Sequence, residues 1–261
     1  MHLNIAKCEL ISSIKPVQSQ SLNDFIAVSP PDASLLGAPL FPGIAQDAAL
    51  NKKLEEFKRL STNIKSINAH DALLILKASS STSHILFMLR CSPCLGNSIL
   101  SQIDNVLRSN ISHVANVVLS DTQWTQASLP VKSGGLGIRR AFSLALPAYL
   151  ASATSTTPLQ DLILIRSVAA ADKYYTLYCS DWLSTYNFPI PLDNVSYKQR
   201  AWDEPIIKTD ISHLLLTSSQ QDKSRLLAVT STHSSDWLHA LPIASCGLRL
   251  ENDDIRVAVG L

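Results

Sequence analysis

Three short stretches bring together residue types that could do chemistry. Residues 133 to 140 read Ser-Gly-Gly-Leu-Gly-Ile-Arg-Arg. Gly134, Gly135 and Gly137 permit close backbone approach to a ligand, and Ile138-Arg139-Arg140 opens a helix whose N-terminus would favour an anion. The Lys-Ser/Thr pair of a phosphate-binding loop is missing and no strand leads in, so a tight turn accounts for the glycines without a ligand. Lys132, Arg139 and Arg140, with Trp124 nearby, could contact a phosphate backbone and stack on a base or sugar. The competing interpretation is a solvated turn beside a core tryptophan. Cys91-Ser-Pro-Cys94 has the spacing of half a zinc site, but no second pair exists, and His84 and His113 sit in helical stretches without a partner pattern. Two buried thiols at a helix end explain it better. Asp253-Asp254 could hold magnesium for phosphoryl transfer. They follow Glu251 and Asn252 and precede an apolar helical stretch, so an acidic first turn complementing the helix dipole is the simpler account. No G-x-S-x-G, H-E-x-x-H or dinucleotide fingerprint occurs, and nothing in the chain assembles into an active site.

The elements that must position these residues are mostly helices. Leu50, Leu54, Phe57, Leu60, Ile64 and Ile67 recur at spacings of 4, 3, 3, 4 and 3, with Lys52, Lys53, Glu55, Glu56, Lys58 and Arg59 filling the other face. Residues 70–78, 84–89, 99–118 and 140–152 also read as helices, separated by Ser-rich and Pro-containing turns. Pro158 is placed as the first-turn proline of a further helix over 159–185. Short helices are expected over 206–230 and 234–241. At the front, Leu3, Ile5, Cys8 and Leu10 alternate as a half-buried strand would. Residues 12–31 turn to Ser, Gln, Asn and Pro, an exposed connection. Ser34-Leu-Leu-Gly-Ala-Pro-Leu40 then reads as a short strand at a sheet edge. The class is mainly α with a small N-terminal β element.

Composition fits a globular chain: 46% of the 261 residues are hydrophobic and 16% charged. Low charge and a slightly positive mean hydropathy mean that much apolar surface must find a partner. Residues 1–140 hold 13 Lys/Arg against 9 Asp/Glu and residues 141–261 hold 9 against 12, so +4 and −3, and a polyanion should favour the first half. No apolar run approaches a membrane span and no signal-peptide pattern opens the chain, which predicts an intracellular protein. Five scattered cysteines form no disulfide framework and are expected reduced.

Several segments, in order, resemble the part of a non-LTR retrotransposon-type reverse transcriptase that follows its catalytic aspartates. They are HLNIAKCELI, SLLGAPL, HDALLILKASSSTSHILFMLRCSPC, WTQASLPVKSGGLGIRRAFSLALPAYLAS and DWLHALPIASCGLRLENDDIRVAVGL. The resemblance covers about residues 1–153 and 235–261, and the order of the motifs carries it. It implies that Lys7, in an "LN..K" motif, occupies the place of a candidate proton donor to pyrophosphate. It also implies that Leu36, Gly37 and Ala38 correspond to the primer grip, and that the helices beyond them form a thumb-like bundle tracking a template–primer duplex. Basic rather than base-reading side chains would serve there.

The resemblance divides the chain into a palm-edge and primer-grip region at 1–44, a thumb-like helical region at 45–153, and a helical region of unassigned role at 154–261. The aromatic-x-Asp-Asp turn and the earlier Asp that bind magnesium in this family of RNA-directed DNA polymerases do not occur, nor do the fingers. Asp253-Asp254 cannot replace them. Met1 is therefore expected to be an internal position of a longer enzyme, and the chain alone is expected to be inactive, with no cofactor. Its expected partners are an RNA or DNA template–primer duplex, contacted through Lys132, Gly134, Gly135, Arg139 and Arg140, and the missing fingers and palm. The alternative is a repurposed all-α interaction module. A fragment should aggregate through an unpaired strand edge at 3–11.

Overall fold

The computed structural model describes residues 4, 7–12, 24–80, 83–163 and 172–260. The chain is mainly helical, 67% helix against 4% strand, so the core is built by helices and the strands are small pairs at the front. Strand β1 (Glu9–Ile11) pairs in parallel with β2 (Ile26–Val28), Leu10 opposite Ala27. Leu3 and Ile5 of the expected strand lie outside the described residues. Lys7 precedes the strand in a turn, its N–H donating to Asn4 O at 3.0 Å. The edge expected to be open at 3–11 is thus paired on one side over 9–11. Its partner comes from the stretch expected as connection, where Ile-Ala-Val supplies a short run with two β-branched residues.

The Ser34–Leu40 stretch is a hairpin rather than one strand. β3 (Ser34–Leu35) turns through Leu36 and Gly37 into the antiparallel β4 (Ala38–Pro39). Leu36 at φ 51° and Gly37 at φ 81° supply the two left-handed residues of a two-residue hairpin loop. Glycine takes that conformation freely; a leucine there is unusual.

Helix α1 (Ile44–Ile64) buries Leu50, Leu54, Phe57 and Ile64, the face that the spacing predicts, and ends before Ile67. Helix α2 (Ala69–Ile75) runs into a π-helical turn at Leu76–Ser80 and is followed by α3 (Ser83–Cys91). Helix α4 (Ser98–Ala115) starts where Asn97 Oδ1 accepts the Ile99 N–H and stops at Asn116, left-handed at φ 51°. Helix α5 (Asp121–Ala127) begins in a capping box made by Ser120 and Gln123. Helix α6 (Ala141–Ile163) packs along α3 and α4.

Pro158 stands inside α6 and does not begin the next helix. The first half of α6 is anchored in the core, and the hydroxyls of Thr154, Thr156 and Thr157 donate back to the carbonyls of Leu150 and Ala153 at 2.8, 3.0 and 3.1 Å. The helix continues through the proline, which removes one N–H of the ladder. Helix α7 (Lys173–Tyr186) starts instead at Asp172, whose Oδ1 accepts the N–H groups of Tyr174 and Tyr175. Helices α8 (Asp193–Ser196), α9 (Gln199–Thr217) and α10 (Gln220–Val229) complete a second layer. Its centre is aromatic: Trp182 and Trp202 meet edge to face with centroids 5.2 Å apart, and the Trp202 indole N–H donates to Ser196 O at 2.7 Å.

The end of the chain returns to the first core. Helix α11 (Asn252–Gly260) buries Ile255 with the side chains of α1, α2 and α4. Asn252 Oδ1 accepts the Ala69 N–H at 2.8 Å across 183 residues, and buried His70 accepts the Leu250 N–H on Nδ1 at 3.0 Å. Its Nε2 lies 3.2 Å from Ala240 O, so the ring is the Nε2–H tautomer. Among the described residues no helix is long and apolar enough to cross a membrane.

Candidate nucleic-acid interface

Four of the residues that the resemblance singles out lie at the front of the molecule. Leu36 caps the hairpin at 89% exposure, Gly37 has nothing near it, and Ala38 is buried on β4. The hairpin is seated from behind by the Cys91–Cys94 turn, where Ser92 Oγ donates to Pro39 O. Gln46 Nε2 donates to Pro93 O at 3.1 Å and ties the same turn to α1. Lys7 is exposed beside β1. The hairpin therefore presents an exposed Leu36 tip on a base tied to the Cys91–Cys94 turn.

The glycine turn is closed to a phosphate. The N–H groups of Ser133, Gly134, Gly135, Leu136 and Gly137 all donate to carbonyls of residues 127–131 at 2.8 to 3.3 Å. A Cβ on Gly135 would lie 2.1 Å from Leu129 O and 2.6 Å from Gln126 O, so the glycine is required by chain packing. A Cβ on Gly134, at φ +82°, would lie 2.9 Å from Val229 Cγ2 of α10. Trp124 is buried in the first core, which takes the core alternative rather than base stacking.

The three cations separate. Lys132 is exposed in the turn Val131–Ser133, with no ion pair among the described residues. Arg139 grips Asp203 of α9 with two bonds, Nη1 to Oδ2 at 2.8 Å and Nη2 to Oδ1 at 2.5 Å, the two side chains being 16% and 15% exposed. Arg140 pairs with Asp210 at 2.5 Å. A phosphate at either guanidinium would have to displace a carboxylate already in bidentate or close contact.

The N-terminus of α6 has an anion of its own. Asp104, on the buried face of α4, accepts the N–H groups of Ala141 at 2.6 Å and Phe142 at 3.1 Å. Burial pushes its carboxyl up to about 6, against the opposing pull of the two N–H groups and of Arg140. Sequence reading passed over Asp104, yet the signal is present: it sits inside the apolar stripe of Leu100, Ile103, Leu107 and Ile111. A carboxylate in such a stripe needs donors, and the amides of a helix start supply them.

Cys91 and Cys94 are free thiols, but only Cys94 is buried and Cys91 is exposed, against the expectation of two buried thiols. Partial burial raises the Cys91 thiol and burial pushes Cys94 up to about 12, so neither is activated as a thiolate. At the C-terminal end, Asp254 Oδ2 accepts the Glu251 N–H at 3.1 Å and Asp253 pairs with Arg256 at 3.0 Å, the acidic first turn of α11. Among the described residues no group of three or more His, Cys, Asp or Glu could hold a metal ion.

Between α1 and α4 runs a groove of about 350 Å³, walled by Lys58, Ser61, Thr62 and Lys65 on one side and Asn105 and Ser109 on the other. Comparison with family models, with curated proteins and with solved structures gives no match for this chain.

Proposed function

We propose that this chain is the palm-edge, primer-grip and thumb portion of a non-LTR retrotransposon-type reverse transcriptase, able to hold a template–primer duplex and without polymerase activity by itself. One observation carries the reading. The stretches that resemble the family, far apart in sequence, supply one core: Leu73, Leu89, Trp124, Ile138 and Ala145 pack together with Leu238 and Ile255. The stretch without such resemblance, residues 154–234, enters none of that core and contributes to two further clusters around Trp182, Trp202 and Leu214, which Leu146, Tyr149, Leu150 and Leu129 of a resembling stretch also enter. Motifs inherited from one ancestral body should pack as one body, with later material laid on its outside.

The test uses the purified chain with a labelled RNA–DNA heteroduplex. Binding that weakens steeply with salt is expected, together with no nucleotide incorporation on a primed template in magnesium. Incorporation would overturn the inactivity, and absence of heteroduplex binding at low ionic strength would overturn the duplex role. A second reading, a repurposed interaction module, is favoured by apolar side chains left in solvent, such as Leu36 and Val118 at 89% and 92% exposure. It predicts a defined oligomer by light scattering.

A further inference from the structure

We infer that the phosphate backbone of the duplex is held in the groove between α1 and α4, and not at the glycine turn. The inference rests on the duplex-binding reading and moves its contact surface. Arg139 and Arg140 are neutralised by Asp203 and Asp210, and the amides of the glycine turn are spent, so that face offers only Lys132. The groove has the opposite character. Its α1 wall presents Lys58, Ser61, Thr62 and Lys65, at positions i, i+3, i+4 and i+7 of one helical face. No carboxylate lines it; Lys58 is paired with Glu55 at 2.8 Å, but both side chains are more than half exposed, and such a pair yields to a phosphate more readily than the part-buried pairs of Arg139 and Arg140. Lys65 has no ion pair among the described residues.

Spacing fits as well as charge. Seven residues of helix separate the two lysines by about 10 Å, the axial rise of about three nucleotides on one strand of B-form DNA. Between them the Ser109 hydroxyl and the Asn105 amide can donate to phosphate and sugar oxygens, the sequence-independent contacts that position a duplex. The Ser61 and Thr62 hydroxyls already donate to Oδ1 of fully buried Asn110 and to Lys58 O.

The experiment compares the full chain with Lys58→Gln/Lys65→Gln, with Ser109→Asp on the other wall, and with Lys132→Gln as the rival contact. Heteroduplex affinity is measured across a salt series, with helix content checked by circular dichroism. The double variant is expected to bind roughly tenfold more weakly at low salt with a log–log salt slope lower by about 1 to 2, and Ser109→Asp to weaken binding severalfold. Lys132→Gln should leave both quantities within twofold of the parent chain. If the parent binds and the groove variants bind equally well with the same slope, the groove assignment falls while the duplex reading stands. If the parent chain itself does not bind, both fall. Inorganic phosphate displacing the duplex beyond the effect of chloride at equal ionic strength would mark the groove as a free-phosphate site and overturn the backbone assignment.

Discussion

The body made by residues 44–145 with 237–259 and the layer made by residues 146–229 are filled by different side chains. The body is aliphatic: Leu50, Leu76, Ile85, Leu100, Ile103 and Leu107 are fully buried, and its distant end is fastened by hydrogen bonds of Asn252, His70 and Lys77 together with the ion pair between Arg249 and Asp71 at 2.5 Å. The layer is aromatic, centred on Trp182, Trp202, Tyr149 and Tyr178, and ion pairs from α9 to Arg139 and Arg140 fasten it. The body closes on itself, whereas the layer needs a neighbour. Helix α6 joins them, since Ala141, Leu144 and Ala148 face the body while Leu146, Tyr149 and Leu150 face the layer.

The severest way to break this comparison is Trp202→Ala. Removing a fully buried indole should cost about 3–5 kcal/mol, read by denaturant unfolding. Because α6 belongs to both regions, one cooperative transition is expected to shift as a whole. Two separated transitions would show that the layer melts on its own. Next comes Gly135→Ala, whose methyl would press into the Leu129 and Gln126 carbonyls; about 3 kcal/mol is expected, the upper end of overpacking. That loss arises inside the body's own turn and should persist in a variant whose layer is already loosened.

The ion pairs give a finer cut. Arg139→Ala leaves the Asp203 carboxylate 15% exposed without its bidentate partner, which should cost about 2–3 kcal/mol, between the values for surface and buried pairs. A double-mutant cycle with Asp203→Ala should return about half of it as coupling. A cycle near zero would mean that the aromatic packing alone holds the layer.

The same contrast decides how much could be read from the sequence. In the body, α1 and α4 carry unbroken apolar stripes, so their existence and faces followed from periodicity. In the layer, Pro158 and Pro205 stand inside helices and read as boundaries; buried Trp202, Ile206 and Ile207 carry α9 through Pro205, whereas α6 runs through Pro158 as an exposed end. The hairpin was hidden because Leu36, a poor residue for a left-handed turn, occupies one of its two loop positions. At the candidate site the residue types were legible but their partners were not. Arg139 and Asp203 are 64 residues apart, and nothing local in either segment announces the other. The α1 wall of the groove was visible as a charged face, while α4's approach to it was a fact of packing.

Asp104 offers the smallest effect and the sharpest sign. Its carboxyl titrates near 6 in the folded chain because burial outweighs the two N–H donors and Arg140, so the folded state holds its proton more tightly than an ordinary aspartate does. Its contribution to stability is therefore complete below about pH 4 and is lost as pH rises through 6, a change of about 2 kcal/mol between pH 4 and 7. Asp104→Asn removes the titration, keeps an acceptor for one N–H, and sets its own NH₂ against the other. The variant should be about 1 kcal/mol less stable than the parent chain at pH 4, and because the parent loses about 2 kcal/mol by pH 7 the order should reverse there. An advantage of the parent that widens with pH would mean that the helix start and Arg140 hold the carboxylate ionised. Asp104 would then be a charged clamp on α6, a second ionic fastening of the body beside Arg249–Asp71.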